Sequence, residues 1–306
     1  MPATLQNYIA TRSRRVDAAL SRYLPRSSVK PVTLHKAMRY SLFAGGKRLR
    51  PILCLAAAEA CGGRESSAMP LGCAVECIHT YSLIHDDLPC MDDDDFRRGK
   101  PTLHKVFGEA IAVLAGDALL ASAFEIVALC KLLRSIRNGR GKAPSRYSHG
   151  DFVVEIARAS GSLFLVAGQV ADLESEGKSI SHSQLRYIHE RKTAALLTCA
   201  IRLGAMSANA NRPHLNAVTH FAYNLGMAFQ VIDDILDATK TSEELGKTAG
   251  KDAKAGKATY PSILGMKRAE KEADRYTAAA IKTLRSFGSR AQRLEQLACY
   301  LLNRQN

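Results

Sequence analysis

An all-α, single-domain fold is predicted, and three observations carry it. Strand signals are nearly missing from the 306 residues. Apolar residues recur at helical spacing over long segments. The connections hold Gly, Pro and Asn breakers, and no composition shift marks a second domain, so one domain over residues 1–306 is expected. A hydrophobic content of 46% is ample for its core.

In chain order, the first predicted helix is Leu34–Tyr40, followed by Arg50–Ala60, which opens after Gly45-Gly46 and closes at Gly62-Gly63. Leu71–His85 is bounded by Pro89, which cannot continue a helix. After Gly99-Lys100-Pro101 comes Ala110–Leu133, the most apolar stretch. It carries Asp117 and Glu125, which a bilayer-spanning helix would have to bury, so a core helix and no stable membrane insertion are expected. Phe152–Asp172 closes towards Gly177-Lys178, and Ser183–Met206 towards Asn211-Arg212-Pro213. Leu215–Asp237, Tyr260–Phe287 and Ala291–Leu302 complete the set. The polar, basic stretch at 134–150 is expected to be an exposed loop.

The eight cysteines include no CxxC pair, and several sit in apolar helical runs (Cys54, Cys73, Cys77, Cys130, Cys199), which predicts reduced, buried thiols and a cytoplasmic protein. The start of the chain has no apolar core of a secretory signal. Its Arg12, Arg14 and Arg15 resemble a transit peptide only weakly. The formal charge is +14, with eleven Lys or Arg and one acid in residues 1–58. Such an excess attracts anions, whether nucleic acid, anionic membrane or small phosphates. With no Trp and little aromatic interleaving, nucleic acid is not expected as a partner.

Two aspartate clusters dominate the chemistry: Asp86, Asp87 and Asp92, and Asp233, Asp234 and Asp237. The spacing of Asp233 and Asp237 sets them one turn apart on one helix face. Asp86 and Asp87 fall at a helix C-terminus, where carboxylates oppose the macrodipole. Their flanks, His79–Ile84 and Met227–Ile232, are too apolar for a solvated acidic surface. Massed carboxylates in such a setting repel one another unless cations neutralise them, and oxygen-only donors suit Mg²⁺, usually bound together with substrate phosphates. Basic residues complete the pattern: Lys47, Arg48 and Arg50 after the glycine pair, Arg97 and Arg98 after the first cluster, Lys192-Thr193, and the Lys-rich run 247–257. Together these indicate two anionic groups, one carried by metal and one by side-chain cations alone.

At GGKRLRP, HTYSLIHDDLPCMDDDDFRRGKPT, LAGD, the Gly168-Gln169 pair, Lys192-Thr193, FQVIDDILD and GKTAGKD…GKATYP, the chain resembles the short-chain trans-prenyltransferases, the farnesyl/geranylgeranyl diphosphate synthase family. The resemblance runs from about Leu34 to Leu264. It implies an all-α isoprenoid-synthase bundle around a deep cavity, a homodimer, three Mg²⁺ ions, and head-to-tail condensation of isopentenyl diphosphate with an allylic diphosphate. It assigns Asp86, Asp87, Asp92, Asp233, Asp234 and Asp237 to metal, and Arg97, Lys192, Thr193, Gln230, Lys247 and Lys257 to the allylic diphosphate. Lys47, Arg50, His79 and Arg98 fall to isopentenyl diphosphate, with the run 246–257 as a lid. Tyr81 and Ser82, ahead of Asp86, take the place of the floor that stops the growing chain. An aromatic five residues before Asp86 resembles bacterial farnesyl diphosphate synthases, so the fifteen-carbon product is expected and the twenty-carbon product is the alternative. Phe164–Ala167, the loop at 134–150 and Ala238–Thr241 depart from the family pattern. A class I terpene cyclase, lacking a second substrate, and a non-catalytic prenyltransferase subunit, which would lose an aspartate motif, remain the other readings.

Overall fold

The computed structural model describes residues 3–130, 145–239 and 258–302, and the described residues form a helical bundle. The first helix, α1 (Ala3–Tyr23), falls where no helix is expected from the sequence. Its polar, Arg-rich composition hides a stripe of Leu5, Tyr8, Val16, Ala19 and Leu20, all buried. Arg12 and Tyr8 bind Glu59, and Arg12 and Arg15 pair with Glu65, so part of the positive excess is spent holding α1 to the body.

The helices α2 (Val32–Leu42), α3 (Leu49–Ala60) and α4 (Glu65–Asp86) follow the expected order. After a short hairpin and α5 (Leu103–Phe107) comes α6 (Glu109–Leu129). This helix buries Ala112, Ala115, Leu119, Ala123 and Val127, but leaves Val113, Leu114 and Leu129 in solvent. By length and apolarity it, and the span His149–Ser175, reach the membrane-crossing range. The outer face of α6 nevertheless carries the exposed Asp117 and Glu125.

Two predicted helices prove to be broken. Residues 152–172 divide at Gly161–Phe164 into α7 (His149–Ser160) and α8 (Leu165–Ser175). α7 starts earlier than expected because Ser148 and Asp151 form a reciprocal capping box. The expected loop therefore ends inside a helix, and its residues 134–144 lie outside the described set. Likewise Gly265, at φ +78°, separates α12 (Tyr260–Leu264) from α13 (Met266–Thr283).

Between these lie α9 (His182–His189), a π-helical turn (Glu190–Ala194), α10 (Ala195–Ser207) and the 28-residue α11 (Arg212–Thr239). After a 3₁₀ segment (Leu284–Ala291), α14 (Gln292–Leu302) closes the bundle. One core cluster gathers around α4 and α6 with Val75, Ile78 and Leu119, and another around α10 and α11 with Ile201, Phe221 and Leu225. Nearly every position of α3 is buried between them. All eight cysteines are free, and the five in apolar helical runs are buried, as expected.

Candidate active site

Asp86 ends α4, and the chain then turns so that Asp92 donates its backbone N–H to the Asp86 carbonyl at 2.8 Å. A two-stranded antiparallel hairpin follows, β1 (Phe96–Arg97) and β2 (Lys100–Pro101), joined by Arg98 and Gly99 at φ +54° and +74°. Two positive-φ residues are the requirement of a type I′ turn. This hairpin escaped the sequence reading, which took Gly99-Lys100-Pro101 as a breaker.

The hairpin sends its two arginines to different places. Arg97 Nε donates to Asp87 at 2.6 Å and its Nη2 to Asp94 at 3.1 Å. Arg98 Nη1 donates to the Gly45 carbonyl at 2.6 Å, beside the glycine pair. Of the neighbouring cations there, Arg48 turns inward from a left-handed backbone (φ +50°), pairs with Asp17 and the buried Glu76, and donates to the Leu42 carbonyl. It is a core ion-pair residue, and losing it would leave Glu76 buried and uncompensated, at a cost of roughly 3–5 kcal/mol. Arg50 stays with Arg98 around His79, whose burial, and then Arg50 and Arg98, hold it well below the usual histidine range, hence neutral. Lys47 is exposed, with its ammonium 5.2 Å from the Tyr300 ring centre.

A cavity of about 420 Å³ separates the two aspartate clusters, with Asp92 and Asp94 on one wall and Asp233 and Asp234 on the other. Lys192 and Thr193 enter it from the π-helical turn, a local widening that often marks functional sites. Lys192 pairs with Asp172 at 2.6 Å and acts on the charge of Asp86. Gly168 makes that approach possible: a Cβ there would stand 2.3 Å from the Lys192 backbone nitrogen. Thr193 donates its hydroxyl proton to Gln230 Oε1 at 3.0 Å, and Gln230 Nε2 donates to Asp234 at 3.2 Å.

The predicted carboxylates are not equivalent. Asp87 is 4% exposed and committed to Arg97, and Asp234, equally buried, receives three N–H donors: Gln230, His189 and the Tyr260 backbone. Asp86 has its pKa pushed up to about 6, by burial first, with Asp92 and Asp87 adding to it and Lys192 and Arg97 opposing. Asp237 is buried at the end of α11, and Lys247 and Lys257 lie outside the described residues, as does the expected lid. Tyr81 packs into the core, 7% exposed and edge-on to His85, and Ser82 donates back to the His79 carbonyl. Neither lines the cavity. Asp172 and His189 line it and were absent from the sequence reading. The spacings Gln169-x-x-Asp172 and His189-x-x-Lys192 were the signals available.

The donor set fits hard divalent cations, since the cavity-facing acids offer only oxygen and Asp86 carries a burial penalty that a cation would remove. Among the described residues no three His, Cys, Asp or Glu side chains converge on one point. Cations would then be completed by phosphate oxygens rather than enclosed by protein, the usual habit of Mg²⁺.

The polyprenyl synthetase family model matches residues 31–297. The chain belongs to this family. It is 50% identical over 304 residues, 98% of the chain and 79% of the relative, to a heterodimeric geranylgeranyl pyrophosphate synthase large subunit, chloroplastic, of Arabidopsis thaliana. It is 48% identical to a chloroplastic geranylgeranyl pyrophosphate synthase of Capsicum annuum, covering 100% of the chain and 80% of the relative. Among solved structures, an FPP/GFPP synthase of Zymomonas mobilis superposes with a TM-score of 0.85 at 35% identity, over 99% of this chain and 100% of that one. The polyprenyl synthetase reading makes the protein a trans-prenyltransferase of isoprenoid biosynthesis with the all-α fold of its structural neighbours. The cytoplasmic expectation is overturned by relatives named as chloroplastic. Reduced cysteines, on which it rested, do not separate the two compartments. The particular likeness to bacterial farnesyl diphosphate synthases is not supported by these relatives.

Proposed function

We propose that this trans-prenyltransferase extends allylic diphosphates with isopentenyl diphosphate to the twenty-carbon product, geranylgeranyl diphosphate. The relatives named geranylgeranyl pyrophosphate synthase, at 48–50% identity over nearly the whole chain, carry that choice over the fifteen-carbon product expected from Tyr81.

The residues divide the work. Asp86 and Asp92 of the first cluster and Asp233 of the second would hold Mg²⁺, three ions by resemblance, which when bound would stabilise the charge growing on the departing diphosphate. Lys192 adds a cation to the same group. Arg50, Arg98 and the neutral His79 bind the diphosphate of isopentenyl diphosphate without metal, with Lys47 at the rim. The allylic C–O bond breaks to release diphosphate, the isopentenyl double bond forms the new C–C bond, and a proton passes to the released diphosphate to regenerate an allylic diphosphate. Thr193 and Gln230, bonded to each other through the Thr193 hydroxyl, line the cavity without adding an ionised nucleophile to it. In a test incubation with isopentenyl and farnesyl diphosphates and Mg²⁺, a twenty-carbon product sized by chromatography is expected. Accumulation of farnesyl diphosphate from shorter allylic substrates, with none of it extended, would contradict the assignment.

The adjacent exposed apolar side chains of α6, Val113 and Leu114, are suited to a second copy of the chain. Leu114→Arg should halve the mass measured by light scattering while leaving circular dichroism unchanged. A parent protein that already runs as a monomer removes this reading.

A further inference from the structure

The second aspartate cluster ends in an arrangement that metal binding does not explain. Both carboxylate oxygens of Asp234 are engaged by protein donors. Oδ2 receives His189 Nε2 at 3.2 Å and the Tyr260 backbone N–H at 2.9 Å, and Oδ1 receives Gln230 Nε2 at 3.2 Å. Three N–H donors fill most of the roughly four lone-pair sites of a carboxylate. Its neighbour Asp233, one residue earlier on α11, points about 100° away around the helix, and both line the cavity.

The partners of Asp234 come from elements far apart in sequence. His189 is the last residue of α9, directly before the π-helical turn that delivers Lys192 and Thr193. Tyr260 is the first residue of α12, with Ala258 and Thr259 ahead of it on the cavity wall. The fully buried ring of Tyr260 stacks on His189 at 5.6 Å, 13° between planes, and meets His182 edge-on at 5.3 Å. Through Gln230 the same carboxylate reaches Thr193. One acid thus ties together the π-helical turn, the second cluster and the segment entering α12.

We propose that Asp234 and His189 are positioning residues that form a latch: Asp234 does not ligate metal, but pins the Tyr260 backbone and, through His189 and Gln230, the π-helical turn against α11. Asp233 is the residue of the pair that serves the cation. The proposal rests on reading the cavity as a metal-diphosphate site, but its first test needs neither metal nor substrate.

That test is hydrogen exchange of the Tyr260 amide in the metal-free protein. Loss of a hydrogen bond to a charged acceptor should speed its exchange by about tenfold or more. Asp234→Ala should do so and Asp233→Ala should not. Because Asp234→Ala leaves three donors without their acceptor and endangers the fold, His189→Phe is the second arm. It keeps the ring against Tyr260 and removes the N–H, and His189→Gln restores a donor. In titrations with Mg²⁺ and inorganic pyrophosphate, followed by calorimetry, His189→Phe should bind several-fold more weakly and His189→Gln should recover most of the loss. Unchanged Tyr260 exchange in Asp234→Ala, or equal acceleration in Asp233→Ala, overturns the latch. Full pyrophosphate affinity in His189→Phe overturns its link to the site. If Tyr260 responds as expected but the parent fails to bind pyrophosphate with Mg²⁺, the latch stands and the reading of the cavity falls.

Discussion

Replacing Asp86 or Asp233 by Ala is expected to lower turnover by about three orders of magnitude or more, because each removes a charge that would hold the cations on the leaving diphosphate. Circular dichroism should stay that of the parent, and EDTA should silence the parent to the same degree. In the metal-free protein the sign reverses. Burial, with Asp92 and Asp87, pushes Asp86 up to about 6. An acid raised above its unfolded value costs stability once ionised; that cost is complete above pH 6 and fades as pH falls towards about 4. Asp86→Asn should therefore stabilise the metal-free protein at pH 7.5, by on the order of 1–3 kcal/mol, and give no gain at pH 4. Thermal denaturation at the two pH values measures this. An active, EDTA-resistant Asp233→Ala enzyme would remove the metal from the account.

Arg50→Ala and Arg98→Ala should each weaken isopentenyl diphosphate by roughly 1.5–3 kcal/mol, about 10- to 150-fold in KM, the scale of a lost charge-assisted hydrogen bond. The KM for the allylic substrate should move much less. Both guanidiniums act on the neutral His79, and none of the three lines the cavity between the aspartate clusters. Arg97 provides the contrast. It is bound to Asp87 and Asp94, so Arg97→Ala should disturb the first cluster and appear in the Mg²⁺ dependence and the allylic KM. Equal losses for both substrates in Arg50→Ala would mean that the two anion sites are not separate.

The bundle was legible because burial imposes the helical period on α3, α4, α6, α10 and α11, and both aspartate clusters fall where that period stops. α1 was hidden because its stripe is diluted by arginines whose partners, Glu59 and Glu65, sit two and three helices away in sequence. Which of Lys47, Arg48 and Arg50 would turn inward depended on a left-handed backbone at Arg48 that no side-chain pattern announces. Adjacent aspartates look alike in a motif. On a helix they diverge by about 100°, so Asp87 met Arg97 and Asp234 met His189 while their neighbours took other directions. Asp172 and His189 belong to the site through pairings with Lys192 and Asp234, which only the packing of α8 and the π-helical turn on α11 brings about.

The central claim is two separate anion sites, one dependent on metal and one built from arginines. Calorimetric binding of isopentenyl diphosphate and of a non-ionisable allylic thiolodiphosphate, each with Mg²⁺ and with EDTA, tests it directly. Isopentenyl diphosphate should bind in both conditions and the allylic analogue only with Mg²⁺. An allylic analogue that binds equally well in EDTA, or isopentenyl diphosphate that fails to bind without Mg²⁺, would contradict the account.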